Sequence, residues 1–295
     1  MAQTRPAPTM QMPATLFEVR GLYKAFDENV PLIANANLTV YEGETLALIG
    51  ESGCGKSVLL KIMMGLLEPD EGEVLFRGKD VHRMDQADLD AMRQQVGYVF
   101  QNDALFDSMS VLDNIGFSMR EHTKATDQEI LDRAQDCLEF VGLERWRVKL
   151  YPAELSGGQR KRVGIARAIA MKPKVLLYDE PTQGLDPQSI TRIANLIIRL
   201  QAELKATSVI VTHDMRTAFT AANRIALLHE GRFDYVGSPA QFAYHEAEPV
   251  KEFIADALEE IQELPFLQAE HDAKVQHEGH AEHPGAVRGG TLPGV

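Results

Sequence analysis

The octapeptide Gly50-Glu51-Ser52-Gly53-Cys54-Gly55-Lys56-Ser57 is the clearest chemistry in this 295-residue sequence. Its glycines let consecutive backbone N–H groups turn inward as an anion nest, and a helix N-terminus directly after them favours negative charge. The preceding apolar run Thr45–Ile49 and the helical spacing from Lys56 onward supply the strand–loop–helix setting that a phosphate loop requires. Lys56 is then placed to reach β- and γ-phosphates and the Ser57 hydroxyl to ligate Mg²⁺, with the site running on to Val58. Cys54 reads as an interior loop residue rather than a redox centre. A second constellation is Val175-Leu176-Leu177-Tyr178-Asp179-Glu180, an apolar strand that delivers two carboxylates to a sheet edge. Asp179 is expected to hold Mg²⁺ and Glu180 to polarise an attacking water. A third is Leu155-Ser156-Gly157-Gly158-Gln159, a small, capped helix start that reads as another phosphate-recognising N-terminus.

These residues need a frame. Short β-rich runs at Leu16–Val19, Leu38–Val40, Val74–Phe76, Val96–Phe100 and Ser208–Thr212 read as further strands. Helices are expected over Lys56–Leu67, Asp127–Val141 and Pro187–Leu204, the last with proline at its start. Strand and helix alternate, which predicts an α/β fold around a mostly parallel sheet with a helical insertion over about 102–165. A short helix after Ala240 and an acidic amphipathic one from Val250 to Leu264 follow. The organisation reads as a disordered leader (1–15), a main domain (16–245), an acidic C-terminal helix (246–266) and a disordered tail (267–295). His271, His277, His280 and His283 in that tail lack a rigid frame and read as solvated rather than metal-binding.

Composition narrows the function. Apolar residues make up 44% and charged residues 25%, ordinary for a globular protein. Thirty basic side chains against 43 acidic ones leave a charge of −13, which argues against nucleic acid as a partner. Eleven carboxylates and two lysines between Glu246 and Glu282 carry most of that excess, so the body is only mildly acidic. Two cysteines build no disulfide framework, and no export-signal core or membrane-length apolar run is present. Any work at a membrane is therefore expected to run through partners.

Taken together in this order, the motifs resemble those of ATP-binding-cassette ATPases, over residues 16 to about 240. The resemblance implies a cassette with a RecA-like parallel-sheet core, an antiparallel β subdomain and a helical subdomain bearing Ser156–Gln159. It also resolves the presence of two phosphate-recognising segments in one chain. Two cassettes pack head to tail as a homodimer, and Ser156, Gly157, Gly158 and Gln159 of one close on ATP bound to the other. By the same resemblance Gln101 reaches Mg²⁺ and the attacking water and senses a membrane partner. Gly184-Leu185-Asp186 crosses the dimer interface near the nucleotide, His213 contacts the γ-phosphate and orients Glu180, and Phe26 (or Tyr23) stacks on adenine. Gln183 stands where the family more often has a small residue.

A single cassette without a fused span must recruit a permease, which implies a peripheral place on the cytoplasmic face of the inner membrane. Residues after Gln101, notably Ala104-Leu105-Phe106-Asp107-Ser108-Met109 and Arg120-Glu121-His122-Thr123, are similar to the ATPases of Mce/Mla-type lipid transporters. That similarity implies phospholipid or another hydrophobic cargo, an Mce-domain lipid-binding partner and a small regulatory subunit at the C-terminal helix. The alternatives are the ATPase of a polar-solute importer, such as one for amino acids, and a non-transport module that signals to cell-wall hydrolases.

Overall fold

The computed structural model describes residues 13–27 and 30–255. Two sheets organise the chain. The first is antiparallel and four-stranded, built from β1 (Thr15–Asp27), β2 (Val30–Tyr41), β4 (Glu71–Phe76) and β5 (Lys79–Asp80) in the order β2-β1-β4-β5. The second contains β3 (Thr45–Ile49), β6 (Val96–Val99), β7 (Val175–Asp179), β8 (Thr207–Val211), β9 (Arg224–His229) and β10 (Arg232–Gly237), ordered β10-β9-β3-β8-β7-β6. Neighbours within β9-β3-β8-β7-β6 are parallel, and β10 closes the edge as an antiparallel hairpin with β9.

The central strands β3, β7 and β8 are buried at every residue, as expected of parallel strands covered on both faces. Alternation along them divides the interior. Leu46, Leu48, Leu177 and Val209 pack with the antiparallel sheet and with α1 (Lys56–Met63) and α2 (Gln86–Arg93). On the other face Leu176, Tyr178 and Ile210 pack with the helical part of the chain, which comprises α3 (Val111–His122), α4 (Asp127–Phe140), α5 (Gly157–Ile169) and α6 (Pro187–Leu204). Ala47, Ile49, Ile225 and Leu227 bury a third cluster against α7 (Met215–Ala221), α8 (Pro239–Ala243) and α9 (Glu248–Ala255).

Local signals set most helix starts. Thr126 and Glu129 form a reciprocal capping box on α4, and Ser156 with Gln159 does the same on α5. Asp186 caps α6 with Pro187 at its first position, as the sequence predicts. The helix expected over Lys56–Leu67 ends sooner, at Met63, because Gly65 turns left-handed at φ 63°. Strands β1 and β2 run far longer than the short runs expected there, since their irregular, bulged pairing continues through positions whose polar residues break the apolar pattern. The β9–β10 hairpin and α7 were not expected from the sequence. The acidic helix expected over 246–266 begins as α9, and the rest of it, the tail and the leader's first 12 residues lie outside the described residues.

Candidate functional site

Because β3, β6, β7 and β8 run parallel, their carboxyl ends meet along one edge, and each is followed by a segment with a chemical group. After β3 comes the phosphate loop. Gly50, Gly53 and Gly55 hold φ of 150°, 84° and 107°, values that side-chain-bearing residues rarely adopt. A Cβ on Gly50 would lie 2.2 Å from the Leu228 carbonyl oxygen, so the loop can pass β9 only without a side chain. Gly50→Ala is therefore expected to destabilise the fold by about 2–3 kcal/mol, read as a lowered urea midpoint. A midpoint unchanged from wild type would show that the loop can shift away from Leu228.

Lys56 is buried, and its ammonium donates to the carbonyls of Gly50 (2.8 Å) and Glu51 (2.7 Å). The loop thus curls around the cation that the sequence places at the phosphates. Ser57, one residue into α1, donates its hydroxyl to Asp179 Oδ1 at 2.6 Å, which joins the two expected Mg²⁺ ligands across β3 and β7. Tyr98 from β6 donates to the other carboxylate oxygen at 3.2 Å, and burial, then the adjacent carboxylate, push its phenol well above the usual range. Tyr98 was not anticipated. A tyrosine in an otherwise apolar parallel strand was the available signal.

Glu180 sits just past β7 with φ 49°, a left-handed backbone for a bulky residue, fixed by its N–H donating to the Val211 carbonyl at 2.9 Å. Its carboxylate lies 2.8 Å from His213 Nδ1 and also accepts from the His213 backbone N–H at 3.4 Å. Glu180 is buried, while the His213 side chain is 57% exposed and lies at the cleft mouth with Nε2 turned from the carboxylate. Gln101, after β6, donates to Gln183 Oε1 at 2.7 Å. Sequence reasoning noted Gln183 only as a departure from a small residue, and the fold makes it Gln101's neighbour.

Lys56, Ser57, Gln101, Glu180, Gln183 and His213 line one cleft of about 450 Å³, whose wall is completed by Leu32, Ser52, Gly53, Gly55 and Val58. Glu51 and half-buried Cys54 complete the loop behind it, and burial pushes the Cys54 thiol up, which disfavours the reactive thiolate. Phe26 stands apart, 68% exposed at the far end of β1 with Lys24 Nζ 5.6 Å from its ring centroid. Half-buried Tyr23 pairs with Glu71 instead. Ser156, Gly157, Gly158 and Gln159 are not part of the cleft wall. Ser156 caps α5 at an exposed position, and Gly158 faces Ser189 of the same chain. Asp186 is likewise exposed, and hydrogen bonds from Ser189 hold its carboxyl below the usual range.

A hydroxyl, a carboxylate and a side-chain amide make a hard-oxygen donor set that suits Mg²⁺. Among the described residues no group of three or more His, Cys, Asp or Glu comes together to hold a metal. A cation here would take its remaining ligands from phosphate and water.

Comparison with known proteins turns this geometry into a classification. The family model for ABC transporters matches residues 33–183, from β2 through the phosphate loop, Ser156–Gln159 and Glu180. The chain belongs to the ABC transporter family. Its fold agrees with solved cassettes. The ATP-binding cassette MJ0796, in a dimeric post-hydrolysis state bound to ADP and Pi, is 32% identical with a TM-score of 0.70, covering 76% of this chain and 99% of that one. CbiO1 of Clostridium perfringens, part of the transporter complex cbiONQ, is 30% identical with a TM-score of 0.70, covering 88% and 99%. This is an ABC ATPase: the cassette binds and hydrolyses ATP as a transporter component.

The curated relatives correct the expected subgroup. The sulfate/thiosulfate import ATP-binding protein CysA of Pseudomonas putida is 39% identical over 264 residues, 88% of this chain and 77% of its own. The protein of the same name from Bordetella bronchiseptica is 42% identical over 243 residues, covering 81% and 67%. These relatives are importer ATPases, so the Mce/Mla assignment is withdrawn, with its lipid cargo, Mce-domain partner and regulatory subunit. The fold shows why the motifs behind it were poor guides to cargo. Leu105 and Met119 pack into the helical core, Phe106 stacks on Phe117 at 5.2 Å, and the Thr123 hydroxyl bonds the Met119 carbonyl at the end of α3. Leu105 and Met119 thus serve the helical core and Thr123 the end of α3, tasks independent of what is carried, while Phe106 and Phe117 stay partly exposed. No helix among the described residues is long and apolar enough to cross a membrane.

Proposed function

We propose that this cassette works in pairs, held peripherally by a membrane permease, to power import of a small polar solute, with sulfate or thiosulfate as the first candidates. The importer reading rests on the similarity to sulfate/thiosulfate import ATPases over more than three quarters of the chain. It corresponds in kind to the polar-solute alternative raised from the sequence. Pairing is supported by the absence of Ser156–Gln159 from the wall of the chain's own cleft, which leaves that capped helix start free to meet a second molecule.

In the proposed cycle the phosphate loop N–H groups and Lys56 hold the β- and γ-phosphates, and Ser57 and Asp179 hold Mg²⁺ with Gln101 beside them. When bound, the ion supplies charge neutralisation on the phosphate oxygens. Glu180 accepts a proton from the attacking water, and His213, through Nδ1, keeps that carboxylate aimed while Nε2 is available to the γ-phosphate. Ser156 and Gly158 of the second copy close the site, Asp186 lies at the seam, and Phe26 offers its exposed ring to adenine.

A groove of about 520 Å³ beside Gln101 gives the permease a place to dock. Phe100, Phe106 and Phe117 present between 37% and 43% of their surface there, under Arg167. The test is a pull-down of the Glu180→Gln variant from solubilised membranes, paired with uptake of labelled sulfate in cells whose wild-type copy is replaced by Lys56→Ala. Recovery of a permease and a solute-binding protein, with sulfate uptake lost, supports the reading. Unchanged sulfate uptake together with a permease for another solute class discards sulfate and leaves the ATPase untouched.

A further inference from the structure

The segment that follows Gln101 is strained and gripped by one face of α5. Asp103 and Ala104 are consecutive non-glycine residues at φ 60° and 47°, a pairing that L-residues avoid unless the surroundings impose it. What imposes it lies about one to three turns into α5. Lys161, buried to 6% exposure, donates its ammonium to the Gln101 carbonyl. Arg167 spreads its guanidinium over two successive carbonyls, Asp103 O at 2.9 Å and Ala104 O at 2.6 Å. Between them Gly164 faces the Asp103 backbone, and a Cβ there would meet the Asp103 carbonyl oxygen at an ordinary contact distance of 3.5 Å. The Asp103 carboxylate turns toward Lys161 as well, 3.5 Å from its Nζ, and lies 3.8 Å from Nε of the neighbouring Arg160. Positions 161, 164 and 167 recur every three residues, so they form one stripe of the helix.

That helix begins at Ser156, and the loop it grips ends at the cleft wall in Gln101. We propose that Lys161 and Arg167 are positioning residues for Gln101, carrying any displacement of the Ser156 end of α5 to the catalytic cleft of the same chain. The inference rests on the reading of Gln101 and Ser156 given above. Neither cation touches the nucleotide cleft, so neither is a catalytic residue. A guanidinium bonded to two carbonyls and a buried ammonium bonded to a third tie the segment to the helix at three points, each a charge-assisted hydrogen bond. Engagement of Ser156 with a second molecule's nucleotide and placement of Gln101 against the first nucleotide thereby become one event.

The test compares Lys161→Met, which keeps the volume, with Lys161→Gln, which keeps a donor, and adds Arg167→Lys. Lys161→Met is expected to lower kcat about tenfold with KM for ATP within about twofold, the signature of a lost positioning contact rather than lost binding. Amide hydrogen exchange should accelerate at residues 101–106 and stay unchanged over 50–57. Lys161→Gln should recover most of both effects, whereas Arg167→Lys, which loses the guanidinium's reach and planar fork, should resemble Lys161→Met. In a double-mutant cycle, Lys161→Met should cost nothing further once Gln101 is replaced by Ala. Unchanged exchange at 101–106, equal losses in the Met and Gln variants, or full additivity with Gln101→Ala would overturn the coupling. If Gln101→Ala itself turns over at the wild-type rate, the catalytic reading of Gln101 fails, and the exchange data alone then show whether the cations still hold the loop.

Discussion

Glu180→Gln is expected to bind ATP with near wild-type affinity and to hydrolyse it at least about 100-fold more slowly, the usual effect of removing a positioned proton acceptor. The substitution preserves shape. A glutamine at φ 49° accepts the same backbone constraint, and its amide oxygen can still take a hydrogen bond from His213. Only the basicity is lost. With hydrolysis blocked, ATP should remain between paired cassettes, so gel filtration should show an ATP-dependent dimer that wild type forms only fleetingly. Turnover at the wild-type rate would remove Glu180 from the chemistry and leave His213 or the phosphate itself to activate the water. His213→Ala is the useful companion, because it releases the Glu180 carboxylate from its 2.8 Å partner without touching the acid itself.

Lys56→Ala should do the opposite, abolishing nucleotide binding before any chemistry. Removing a phosphate-directed cation from a buried site costs about 3–4 kcal/mol of interaction, a factor of several hundred in affinity or rate. The structure adds a second consequence. Without nucleotide Lys56 satisfies the Gly50 and Glu51 carbonyls, so its loss leaves both without that partner inside the loop. The nucleotide-free variant is therefore expected to be less stable by about 1–2 kcal/mol. Saturating ATP should raise the wild-type melting temperature through ligand linkage and leave that of the variant unmoved. A variant that melts like wild type yet still binds no ATP would limit Lys56 to the phosphates. One that still gains stability from ATP would take Lys56 out of the nucleotide site.

Much of the site was legible because its groups are local in sequence. The phosphate loop is eight consecutive residues between a strand and a helix, and backbone geometry is all that its glycines must supply. Asp179 and Glu180 follow an apolar strand, and parallel strands order their carboxyl ends on one edge, so these motifs had to converge. Cargo was not legible in the same way. The segment from Ala104 to Thr123 was expected to identify a lipid transporter, yet Leu105, Val111, Ile115 and Met119 pack the helical core, Phe106 stacks on Phe117 and the Thr123 hydroxyl ends α3. Packing of that kind constrains residue type as strictly as a partner does.

The sequence by itself therefore determined the α/β class, the phosphate loop, the paired carboxylates and the two helix starts at Ser156 and Asp186, because each is a short-range pattern with its own physical cause. Tertiary structure alone decided which distant residues share a cleft. It brought Tyr98 to Asp179, Gln183 to Gln101, Lys161 to the Gln101 carbonyl, and Arg167 to the strained carbonyls of Asp103 and Ala104. It also left Ser156 out of the wall of the cleft that holds Lys56 and Glu180. Contacts between residues 60 to 82 positions apart depend on strand register and helix placement, and no local spacing in the sequence records either.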